Sequence, residues 1–136
     1  MNDSKSNSPG QTDLLATLLN QLPQMVWIRG LDGSKYTNPR LDEYFGSSKP
    51  TYDLESWLHV IHPEDRARAR SHWDEFIKDG KNYEVRLRIC RNVDKTYRWL
   101  IVRVFAIRDN RGAITHFGGT LMDVHALEHS VRRMQN

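Results

Sequence analysis

The chain has one cysteine, Cys90, among 136 residues, so no disulfide can form within it. A lone cysteine usually acts as a small apolar side chain, and Cys90 has no pairing partner for a redox switch. Long apolar runs are missing too. None approaches the ~20 residues that span a bilayer, and the opening MNDSKSNSPGQ is polar where a secretory signal needs an apolar stretch. The chain is therefore expected to be cytoplasmic, without direct membrane insertion. An excess of one charge is also lacking: a net charge of +3 keeps the protein soluble and is weak evidence for a polyanionic partner. Arg66, Arg68 and Arg70 alternate along an expected helix, where residues two apart do not share a face. They read as a solvated surface, and nucleic acid is not an expected partner.

An apolar content of 38% fills one core but not two, so one domain is expected. Residues 1–11 are rich in Ser, Asn and Gly and read as a disordered leader. In residues 12–22, Leu14, Leu15, Leu18, Leu19 and Leu22 recur at helical spacing, Thr12 or Asp13 can cap the start, and Pro23 ends the run. MVWIRGLDGSKYTN then reads as a hairpin around an Asp32-Gly33 turn. Asn38 before Pro39 is an N-cap followed by proline at the first helical position, and the helix through Leu41 and Tyr44 should stop at Gly46. Residues 53–60 suggest a turn or two of helix. Pro63 opens a longer one, with Ala69, Trp73, Phe76 and Ile77 as its apolar stripe and Gly80 as its end.

The last third changes period. Tyr83, Val85, Leu87 and Ile89 alternate with Glu84, Arg86 and Arg88, the pattern of a half-buried strand. Residues 97–107 carry apolar side chains on both faces: Leu100, Val102, Val104 and Ala106 on one, Trp99, Ile101, Phe105 and Ile107 on the other. Such a strand needs cover on both sides, and the leucine-rich helix of residues 12–22, or a second subunit, would supply the outer one. A turn at residues 109–112 leads into ITHFGGTLMDV, where Gly118 and Gly119 suggest a bulge or a close backbone approach. Val124, Leu127, Val131 and Met134 follow at the spacing of a coiled-coil seam. So short a segment is marginal alone; residues 125–136 read as the start of a signalling helix or as a terminal helix packed on its own domain. The element order predicts an α+β domain with an antiparallel sheet and its helices on one face.

Several residues in this order carry a resemblance: VWIRGLDG, Asn38 followed by Gly46, Trp57 with IHPEDR, Glu84 with Arg86, Tyr97-Arg98-Trp99, RDNRG, and Gly119 through Asp123-Val124. The chain resembles a PAS domain with its C-terminal PAC motif, of the type found in bacterial sensor histidine kinases and cyclic-di-GMP signalling proteins. The resemblance assigns residues 23–124 to that domain. It implies a five-stranded antiparallel sheet in the order 2-1-5-4-3, with helices over one face enclosing a ligand-sized cavity. It also implies that the outer sheet face packs on a flanking helix or a second copy, and that the C-terminal helix carries a signal to an output such as a histidine kinase or a diguanylate cyclase. No output motif accompanies it: His129 in EHSVRRM lacks the acidic residue and downstream proline of a phosphoacceptor box.

Cofactors leave marks in this family. No cysteine lies in residues 41–58, where the flavin-thiol type has its reactive one, and Leu100 and Leu121 stand where such domains have an asparagine and a glutamine. Flavin is not expected. Haem would need a histidine on the long helix, where His72 lies a turn beyond the usual place, at the edge of the apolar stripe. His72 therefore reads as a boundary residue, and no metal is expected from the remaining histidines, which lack carboxylate or thiolate neighbours. The candidate cavity residues are Val26, Ile28, Trp57, Ile61, Trp73, Phe76, Leu87, Leu100, Val102 and Leu121. So apolar a lining suits an apolar or aromatic small molecule, with a fully packed core as the alternative. The candidate interface joins Leu15, Leu18, Leu19 and Leu22 to Trp99, Ile101, Phe105 and Ile107, and a homodimer is expected. The expected relay runs through Asp123, Val124 and His125, with His125 where the family has Thr or Ser. Glu55, Glu64, Asp65, Glu75 and Glu84 read as polar faces or caps, so the chain itself is not expected to be an enzyme.

Overall fold

The computed structural model describes residues 14, 17, 23–50 and 53–125. β1 (Met25–Gly30) and β2 (Lys35–Thr37) pair antiparallel across the Asp32-Gly33 turn. There the Asp32 carboxylate accepts the Ser34 N–H at 2.9 Å, and Gly33 adopts the left-handed φ of 92° that disfavours other residues. α1 (Pro39–Phe45) follows, capped by Asn38 as its sequence predicts and ended at Gly46. α2 (Leu54–Val60) begins where Asp53 accepts the Ser56 N–H at 2.8 Å. A single 3-10 turn, Pro63–Asp65, then precedes the long helix α3 (Arg66–Asp79); the His62 Nδ1 caps that turn by accepting the Glu64 N–H at 3.1 Å. Gly80 closes α3 in the left-handed conformation, donating to the Phe76 carbonyl at 2.7 Å.

Three long strands follow: β3 (Tyr83–Arg91), β4 (Thr96–Arg108) and β5 (Ile114–Asp123). The five strands form one antiparallel sheet in the order β2-β1-β5-β4-β3, so the last strand lies at the centre beside the first. This is the expected α+β architecture and strand order. Val85 faces Val102, which faces Leu121 in the next strand, and this row belongs to the core cluster that the helices cover with Leu41, Phe45, Ala69 and Phe76. Leu100, Val102 and Val104 face this core, with Ala106 packed against it, as the alternation in the sequence predicts.

In β1 the expected facing is reversed. Met25 and Trp27 belong to the core, whereas Val26 and Ile28 point to the other face; Val26 is buried outside the core cluster and Ile28 is half-buried. Four consecutive apolar residues, 25–28, give no period-2 signal, so the strand pattern cannot choose between its faces. The glycine pair of β5 supplies the choice. A Cβ on Gly119 would lie 2.4 Å from the Trp27 Nε1, and one on Gly118 would lie 2.6 Å from the Phe105 ring. Each glycine is thus roofed by an aromatic from the adjacent strand, one on each side of the sheet. The register runs unbroken through both, so of the two expected alternatives the pair provides the close approach and not the bulge; the register shift of β4 and β5 lies between Ile107 and Arg108.

One smaller correction concerns α3. Ile77 is 54% exposed and stands outside the buried stripe formed by Ala69 and Phe76. Cys90 alternates away from the core side, where Ile89 is buried, and is half-buried on the other. Leu14 is helical and exposed. Leu15, Leu18, Leu19 and Leu22, the leader and the chain after residue 125 lie outside the described residues.

Candidate functional site

The core is not filled throughout. Between the inner sheet face and the two helices α2 and α3 lies a cavity of about 60 Å³. Its helical wall is Leu54 and Trp57 from α2, Ile61 just beyond, and Ala69 and Trp73 from α3. The floor comes from alternate residues of the sheet: Trp27 in β1, Tyr83, Val85, Leu87 and Ile89 in β3, Val102 and Val104 in β4, and Leu121 in β5. No side chain that is charged at neutral pH lines it. The polar groups carried by its lining side chains are the Tyr83 hydroxyl and the indole N–H of three tryptophans, hydrogen-bond donors on otherwise apolar rings. Burial pushes the Tyr83 phenol up from its ordinary value, so it stays protonated at neutral pH.

The aromatic wall is mutually braced. Trp57 stands edge-on to Phe45 at 5.5 Å between ring centres and tilted against Trp27 at 6.2 Å. Phe76 packs on Trp73 at 5.6 Å, on Tyr83 at 5.8 Å and on Phe117 at 5.5 Å. An apolar cavity of about 150 Å³ binds benzene. The present space is well below that, so it suits a molecule of a few heavy atoms, and an aromatic ring enters only if a wall residue such as half-buried Trp73 moves.

Six of the ten residues expected at the cavity line it: Trp57, Ile61, Trp73, Leu87, Val102 and Leu121. Phe76 and Leu100 do not; they are 1% and 0% exposed and fill the core beside it. Val26 and Ile28 face the opposite side of the sheet, and Trp27 takes their place. His72 is stacked on Tyr83, 5.2 Å between rings and 18° from parallel, and so sits behind a lining residue. Among the described residues no three His, Cys, Asp or Glu side chains cluster as metal ligands would.

Sequence reasoning placed Asp65 on a polar face or at a cap, and the structure puts it at the N-cap position of α3 without a side-chain capping bond. It is no surface cap: it is 1% exposed and holds the edge of the sheet to the helices. β3 is an edge strand, whose outward N–H and C=O groups need partners. Asp65 Oδ2 accepts the Arg88 backbone N–H at 2.8 Å, and the Arg88 side chain closes a fork on the same carboxylate, Nε to Oδ2 at 3.0 Å and Nη2 to Oδ1 at 2.8 Å. His62 N–H donates to the Arg88 carbonyl at 2.8 Å, Ile61 bridges Ile89, and the Tyr44 hydroxyl donates to the Ile89 carbonyl at 2.7 Å. The Arg88 hydrogen bonds lower the Asp65 carboxyl to about 2.

At the far end of β5, Asp123 joins the sheet to the following segment. Its Oδ2 accepts from Arg98 Nε at 2.5 Å and its Oδ1 from the His125 backbone N–H at 2.8 Å, where the chain turns helical at Val124. The bond from position 125 thus comes from the backbone, and the His125 side chain is exposed. On the outer face of the sheet Trp99 is 47% and Ile107 38% exposed, with Ile101 and Phe105 half-buried between them.

The PAS fold family model matches residues 34–121. The peroxide stress-activated histidine kinase mak1 of Schizosaccharomyces pombe is 28% identical over 124 residues, 90% of this chain but only 7% of that protein. Among solved structures, the N-terminal domain of a diguanylate cyclase with PAS/PAC sensor from Marinobacter aquaeolei aligns with a TM-score of 0.61 at 23% identity, over 78% of this chain and 98% of that one. A sensory box histidine kinase/response regulator from Burkholderia thailandensis E264 aligns with a TM-score of 0.56 at 20% identity, over 92% of each chain. At such identities the solved structures speak for the fold alone. Fold and family model agree: the chain belongs to the PAS fold family.

Proposed function

We propose that this chain is the sensory module of a signal-transduction protein, and that an uncharged small molecule in the cavity is its stimulus. Occupancy passes along β5 to Asp123, Val124 and His125, and from there through residues 125–136 to an output such as a histidine kinase or a diguanylate cyclase. Residues 12–22 serve as a flanking helix and 23–124 as the sensing domain, in a cytoplasmic setting. No helix among the described residues is long and apolar enough to cross a membrane. The observation that carries this reading is the cavity, about 60 Å³, walled by α2 and α3 and lacking any charged lining. The central place of β5 supports the route: Leu121 lines the cavity two residues before Asp123 engages the hinge. The relatives, a histidine kinase and a diguanylate cyclase, favour the same class of output.

A second reading, a ligand-free dimerisation module, draws on the exposed Trp99 and Ile107 of the outer face. Native mass spectrometry of the protein purified from its own host separates the two. The sensory reading expects an added mass that matches no buffer component. A clean unliganded mass would overturn it, and such a mass at twice that of the chain would favour the dimerisation module.

A further inference from the structure

Arg88 reaches both sides of the sheet edge. Across the β3–β4 ladder it lies opposite Trp99 on the outer face, and its guanidinium carbon stands 4.9 Å from the Trp99 ring centre. The same guanidinium carries the fork on buried Asp65 and a third bond, Nη2 to Glu64 Oε1 at 3.1 Å. Its backbone is held as well, the N–H by Asp65 and the carbonyl by His62. Those partners form the junction between α2 and α3. Ile61 at one side of the junction and Ala69 with Trp73 beyond the other all line the cavity. A planar fork on a buried carboxylate fixes both distance and direction. A displaced junction therefore carries the guanidinium with it, and the indole beneath, nearly half exposed, is free to report the change.

We propose that Arg88 is a positioning residue coupling the helical wall of the cavity to Trp99, so that the outer sheet face around Trp99 displays the state of the cavity. This makes it a second readout, separate from the hinge at Asp123. It does not depend on the identity of any ligand, because the wall can be displaced by mutation; its failure would leave the sensory reading standing.

The test is fluorine NMR of the full chain labelled with 5-fluorotryptophan, which places one probe at each of its four tryptophans, assigned by single Trp→Phe changes. Ile61→Val trims the cavity wall. The Trp99 resonance is expected to move beyond its linewidth in that variant. The movement should vanish when Ile61→Val is combined with Arg88→Met, while the accompanying shifts of Trp57 and Trp73 persist. Arg88→Lys keeps the positive charge but not the fork, and should lose more than half of the Trp99 response; where Arg88→Met fails to fold, this variant decides. A merely structural Arg88 would shift the baseline spectrum and lower the melting temperature without uncoupling one resonance. A Trp99 response that survives loss of the fork, or none with Arg88 intact, would overturn the proposal.

Discussion

Asp65→Ala is expected to destabilise the domain by about 3–5 kcal/mol, the range for removing one partner of a buried ion pair. Asp65 is fully enclosed while the Arg88 side chain keeps 24% of its surface in solvent, so water can partly rescue the orphaned guanidinium. That places the loss toward the lower end, about 3 kcal/mol. The arginine is only part of it, since the Arg88 backbone N–H on the sheet edge loses its acceptor in the same substitution. Urea denaturation of both proteins measures the difference.

The pairing also has a pH signature. The carboxyl is held at about 2, below its ordinary 3.8, so the unfolded chain binds this proton more readily than the folded one. The resulting stability is fully present above the ordinary value and is lost as the pH falls through the folded one. The stability gap between wild type and Asp65→Asn should be constant above pH 4 or so and should narrow between about pH 4 and pH 2. A gap independent of pH across that window would show that the Asp65 charge contributes nothing.

Asn38→Ala should destabilise by about 2–4 kcal/mol, combining a lost helix cap with a buried polar group left unsatisfied. Asn38 is 0% exposed. Its Oδ1 accepts from the Leu41 N–H at 3.2 Å, the capping bond of α1, and from the Val26 N–H at 3.0 Å on β1. Its Nδ2 donates to the Gln24 carbonyl at 2.8 Å, and its own backbone N–H donates to the Val26 carbonyl at 3.0 Å. One side chain therefore welds α1 to the start of β1. Alanine keeps the backbone bond and loses the rest, at a position that is fully buried. A loss of less than 1 kcal/mol or so in urea, the worth of a surface cap alone, would contradict this role.

The two residues differ in how far the sequence reveals them. Asn38 before Pro39 announces a helix start, because capping is local and its partner lies three residues on. Its second role is invisible, since Val26 comes near only when the sheet assembles. Asp65 is less legible still. An acidic residue at the start of a helix reads as a favourable charge near the dipole, and only the position of β3 at the sheet edge makes it a buried partner of Arg88. Strands β3 and β4 were readable face by face because polar and apolar residues alternate in β3, and β4 pairs with it in register. β1 was not, because residues 25–28 are apolar throughout. The cavity lining follows the same division: β3 and β4 supply Leu87 and Val102 as expected, whereas β1 supplies Trp27 in place of its neighbours.

The claim that cavity occupancy reaches the C-terminal hinge is tested most directly by hydrogen exchange. The compound recovered by native mass spectrometry is added back to protein stripped of it, and exchange is followed at the His125 backbone amide, whose bond to Asp123 Oδ1 is 2.8 Å long. Ligand should change the exchange rate of that amide together with those around Trp57, Ile61 and Leu121. Altered exchange around the cavity with an unchanged His125 amide would contradict the relay.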